Sequence, residues 1–128
     1  MSSELMSLTA VTVFTAVLWM PYILNLIIVR GLMDAVGYPD NPEPLAPWAA
    51  KMKAAHANAV ENLVVFAPLV LIANAAGVTS EATVLACQVY FWARVVHAFS
   101  YTFAIPWVRT LAFVTGFGCQ MVLAIALL

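Results

Sequence analysis

The chain has 128 residues, 65% of them apolar and only 9% charged, and its mean hydropathy is +0.99. A soluble domain carries about a quarter of its residues as Asp, Glu, Lys and Arg, so this composition excludes a water-clothed globule and points to lipid as the solvent. The net charge of −1 supplies no basic field, which excludes nucleic acid as a partner.

The first apolar run, Leu5 to Val29, contains no charged residue. It lacks the basic start and small-residue cleavage site of a signal peptide, so it is expected to stay in the membrane. Pro21 removes a backbone donor and should bend this span near Val17. A polar stretch from Arg30 to Ala46 follows, and its prolines and turn formers predict a loop. The second span opens at Pro47, a favoured first helical position, and is predicted over 47–76. Asn74 to Thr79 read as a short turn. Ser80 is placed to cap the third helix, with Glu81 in its first turn. That helix is predicted over 81–105, and Pro106 ends it and opens the fourth, over 106–128.

A helix needs about 20 apolar residues to cross hydrocarbon about 30 Å thick, and each run suffices. The expected fold is an all-α membrane protein, a four-transmembrane-helix bundle forming a single domain over 1–128. All five basic residues lie in the connections after the first and third spans or in the adjoining helix halves. The positive-inside rule then puts the long first loop in the cytoplasm and both termini outside. Cys87 and Cys119 sit inside apolar runs without metal-ligand spacing, so they read as inert buried thiols, and no metal site is expected.

Polar residues at membrane depth carry the functional signal. The second span holds His56, Asn58, Glu61 and Asn62, and the third holds Arg94 and His97. A charge there costs a few kcal/mol, so it normally faces a partner or a water-filled cavity. At about 1.5 Å per residue, Glu61 lies about 20 Å past Pro47 and Arg94 about 17 Å before Ile105. Equal depth on neighbouring antiparallel helices predicts a Glu61–Arg94 ion pair. By helical angle, Lys51, Asn58, Glu61 and Asn62 share one stripe. So do Tyr90, Arg94, His97 and Tyr101, and likewise Arg109, Gly116 and Gln120. Such groups can simply hold helices together. Five donors on two stripes, with Arg109 beside them, fit a polar pocket for an anionic ligand better. His56 lies off the main stripe and reads as structural.

In these segments, His56-Ala-Asn58-Ala-Val-Glu61-Asn62 with Phe66, and Arg94-Val-Val-His97-Ala-Phe-Ser-Tyr101 followed by Arg109-Thr110, the chain resembles the MAPEG family. These are the membrane-associated proteins in eicosanoid and glutathione metabolism, and the likeness is to a bacterial-type member. The resemblance implies a homotrimer in the bacterial inner membrane. Glutathione would be held between neighbouring protomers by Arg30, Lys51, Asn58, Glu61, Arg94, His97 and Tyr101. It further implies that Arg109 stabilises the glutathione thiolate, with Thr110 where a hydroxyl donor occurs in the prostaglandin synthase branch. Ala54 departs from the pattern, standing where the family usually has an arginine; Lys51, one turn earlier, is the nearest substitute. His97 stands where the leukotriene-forming branch has tyrosine. The implied activity is a membrane-bound, glutathione-dependent transferase or peroxidase acting on lipophilic electrophiles or lipid hydroperoxides. Two alternatives stay open: a non-enzymatic lipid- or partner-binding protein of the same fold, and a small multidrug exporter.

Overall fold

The computed structural model describes all residues, 1–128, and contains helices only. They are α1 (Ser3–Val17), α2 (Trp19–Arg30), α3 (Leu32–Val36), α4 (Pro47–Ala75), α5 (Glu81–Thr102) and α6 (Val108–Leu127). Four stretches are long and apolar enough to span a membrane: Ser3–Arg30, Pro47–Ala75, Glu81–Thr102 and Val108–Leu127. The first joins α1 and α2 across a break at Leu18. Pro21 lies four residues after Val17 and cannot donate to its carbonyl, which accounts for the break where the sequence places it.

Helix α5 is the hub, packed against α1, α4 and α6. Ten of its 22 residues are buried, among them Ala86, Ala93, Ala98 and Ser100. Small side chains of this kind let helices approach closely where lipid supplies no hydrophobic drive to associate. One core cluster joins Leu8 and Val11 of α1, Phe66 and Val70 of α4, Cys87 and Tyr90 of α5, and Cys119 and Leu123 of α6. Within it Phe66 stacks on Tyr90 with ring centroids 3.7 Å apart.

The α4–α5 turn closes as a Schellman motif. Gly77 takes φ +70, and the Val78 amide donates to the Ala73 carbonyl at 2.9 Å. A left-handed residue at that position favours glycine. Ser80 then caps α5, its Oγ accepting from the Thr83 amide at 3.2 Å while the Thr83 hydroxyl accepts from the Ser80 amide at 2.9 Å. Glu4 of α1 reaches this same helix start. Its carboxylate accepts from the Thr79 and Thr83 hydroxyls at 2.6 and 2.9 Å, at the end of α5 where the helix dipole favours negative charge.

Two details differ from the sequence reading. The loop after α2 contains the one-turn helix α3, entered through Gly31 at φ +76. The third span stops at Thr102 and the fourth starts at Val108, because residues 103–107 form a tight turn with Ala104 at φ 55 and Trp107 at φ 68. Around Trp107 the Val108 amide donates to the Pro106 carbonyl at 2.8 Å. Proline disfavours helix in the residue before it, so Ile105 cannot extend α5.

A donor-lined cleft between α4, α5 and α6

The α5 stripe lies inward as its spacing requires: Tyr90, Arg94 and His97 are buried and Tyr101 is half-buried. Gly116 of α6 packs against it: a Cβ there would stand 3.7 Å from the Tyr90 ring and 3.9 Å from Arg94 Cδ, at ordinary contact distance. Arg94 is only 2% exposed. Its Nη2 donates to Asn58 Oδ1 at 2.6 Å and to His97 Nδ1 at 3.4 Å. Asn62 Nδ2 donates to the Asn58 carbonyl at 2.9 Å and to Asn58 Oδ1 at 3.2 Å. Gln120 Nε2 completes the chain by donating to the Asn62 carbonyl at 3.1 Å. Polar residues of three helices thus form one connected network.

Two recesses open beside it. One, of about 300 Å³, is lined by Asn58, His97, Tyr101, Arg109, Thr110 and Phe113. The other, of about 410 Å³, lies between Lys51 and the 103–107 turn and includes Ser100, Tyr101, Arg109 and Thr110. Tyr101, Arg109 and Thr110 border both, so the recesses are two lobes of one cleft. The Arg109 guanidinium lies over the Tyr101 ring, 4.7 Å from its centroid, a cation–π placement. No carboxylate lines either lobe. Guanidinium, ammonium, phenol, hydroxyl and amide groups together suit an acceptor-rich anion.

Of the residues singled out from sequence, Lys51, Asn58, His97, Tyr101, Arg109 and Thr110 line the cleft. Arg94 stands behind it. Glu61 is exposed on the outer side of α4, and the expected Glu61–Arg94 pair is not formed. Asn58 and Glu61 are three residues apart, about 60° around the helix, and α5 faces the Asn58 side. Arg30 is also outside the cleft, its Nε donating to the Glu43 carbonyl at 2.7 Å. His56 is held by the Tyr22 hydroxyl at 2.7 Å, in keeping with a structural role. Phe113 and the turn residues of the outer lobe escaped the sequence reading. Phe113 is one helical turn beyond Arg109, the signal that could have found it.

Four spans with a donor-lined cleft near the end where their basic residues gather define an integral, multi-pass membrane protein. The chain belongs to the MAPEG family, whose model matches residues 9–128. Comparison with curated proteins and with solved structures gives no match. At family level the membership supports membrane glutathione-related transfer, peroxide reduction or a related function.

Proposed function

We propose that this protein is a glutathione-dependent transferase or peroxidase acting on lipophilic electrophiles or lipid hydroperoxides. The observation that carries the reading is the cleft in which Arg109, Tyr101 and Thr110 border two lobes without any carboxylate. A thiol attacks as its thiolate, and a neighbouring guanidinium stabilises that anion without losing its own proton. Arg109 holds the sulfur in this scheme and Thr110 donates beside it. The thiolate then forms the new C–S bond as the leaving group departs with its electron pair. Asn58, His97, Tyr101 and Lys51 hold the peptide. Glu61 and Arg30, which face away from this cleft, serve the site of a neighbouring copy in a homotrimer. The confinement of basic residues to one end supports a cytoplasmic placement of that end, with both termini across a bacterial inner membrane.

The test is conjugation of a chromogenic haloarene by the wild type, Arg109→Ala and Arg109→Lys. The contact strengthens as charge develops on sulfur, so Arg109→Ala should raise the barrier by about 2–4 kcal/mol. Arg109→Lys should recover part of this, a point charge replacing a planar fork. Equal rates in all three would remove Arg109 from the mechanism. Ala54, where the family usually carries arginine, favours a second reading as a non-enzymatic binding protein. No rate above buffer in any of the three would select it.

A further inference from the structure

Arg94 is the most deeply buried charge in the protein and does not line the cleft, yet it touches two residues that do. A guanidinium has only donors. Asn58 must therefore turn its oxygen to Arg94, and His97 must present an unprotonated Nδ1. Asn62 Nδ2 adds a second donor to the same Asn58 oxygen at 3.2 Å, which occupies both of that oxygen's lone-pair directions. The Asn58 amide is then left with its Nδ2 hydrogens for the cleft. A neutral His97 with an acceptor at Nδ1 carries its proton at Nε2, so His97 also offers a donor. The His97 ring lies between Tyr101 and Phe113, with centroids at 5.7 and 6.4 Å, both of which line the same lobe.

We infer that Arg94 is a positioning residue that sets the polarity of the cleft: by holding the acceptor ends of Asn58 and His97, it turns the donor end of each toward the ligand. This rests on the glutathione reading only in naming the ligand; the polarity is a property of the free protein. Either side chain alone could present an acceptor to the cleft and repel a carboxylate. Arg94 removes that choice from behind.

The chain has two histidines, His56 and His97, so nitrogen-15 NMR of the labelled full-length protein in micelles can assign both imidazoles, with His97→Gln identifying the signal. At a pH where His97 is neutral, the inference requires the Nε2–H tautomer in the wild type. A predominant Nδ1–H tautomer there overturns it, whatever any variant does. Arg94→Met should let His97 populate both tautomers, and Arg94→Lys should restore the preference in part. An unchanged tautomer in a folded Arg94→Met protein overturns the inference.

Asn58→Asp gives an independent arm that does not strain the bundle. The carboxylate keeps and strengthens the contact to Arg94, so thermal stability should hold or rise. The donor facing the cleft is replaced by an acceptor, so glutathione binding should weaken by about tenfold or more. Unchanged affinity would show that Asn58 offers no donor to the ligand and would overturn the inference. If the wild type binds no glutathione, the functional reading fails while the tautomer measurement still decides the role of Arg94.

Discussion

At the scale of single residues, the buried network explains which polar groups the membrane tolerates. Arg94 reaches Asn58 and His97, and Asn62 ties Asn58 to Gln120. Nε and Nη1 of Arg94 and the Tyr90 hydroxyl have no partner within the protomer. Such groups are costly unless satisfied, and α6 crosses them at Gly116, beside the Tyr90 ring and Arg94 Cδ. Since a Cβ would meet Tyr90 at an ordinary 3.7 Å, Gly116→Ala should stabilise the protein by about 0.5–1 kcal/mol. A larger side chain has no room: Gly116→Leu should cost about 1–3 kcal/mol by overpacking, measured by thermal unfolding in detergent. Equal losses for both substitutions would mean that the α5–α6 approach does not depend on this position. The stripe containing Gly116 was legible in the sequence because helical spacing alone places Arg109, Gly116 and Gln120 on one face of the fourth span. The partner of Arg94 was not. Asn58 and Glu61 both fall within one helical stripe, and only the rotation of α4 about its axis, set by packing, selects Asn58.

At the scale of elements, three of the four spans begin or break where a local rule says they must. Pro21 accounts for the break at Leu18, Pro47 opens α4, and Ser80 caps α5. Each depends on backbone chemistry within a few residues, which a sequence displays directly. The 103–107 turn is different. Its two left-handed residues are an alanine and a tryptophan, and neither announces such a conformation; closing α6 back onto α5 imposes it. For a residue with a Cβ this conformation costs about 1–2 kcal/mol. Ala104→Gly should therefore stabilise the protein by about 1 kcal/mol. The same change at Ala57, exposed within α4, should destabilise by about 0.5–1 kcal/mol. Paired unfolding measurements check the opposite signs, and loss of stability at both positions would contradict the strained turn. The turn also walls the outer lobe of the cleft, so the strain lies beside the proposed chemistry.

At the scale of the whole molecule, the composition decided the class. With 9% charged residues the chain could only be at home in lipid, and four helices of spanning length follow. The family was legible because its residues recur in order along the second, third and fourth spans, and the match over residues 9–128 bears this out. What sequence could not supply is the division of labour among those residues. Six of the nine candidates line one cleft, one acts from behind, and Glu61 and Arg30 face elsewhere. In the homotrimer proposed above, those two outward groups meet a neighbouring copy, giving a membrane-depth carboxylate the polar surroundings it needs. Whether the cleft binds glutathione is decided by isothermal titration of the detergent-purified protein. Binding in the cleft requires saturable heat from the wild type that weakens in Asn58→Asp. The absence of any binding heat from a folded wild-type protein, confirmed at more than one temperature, would contradict it.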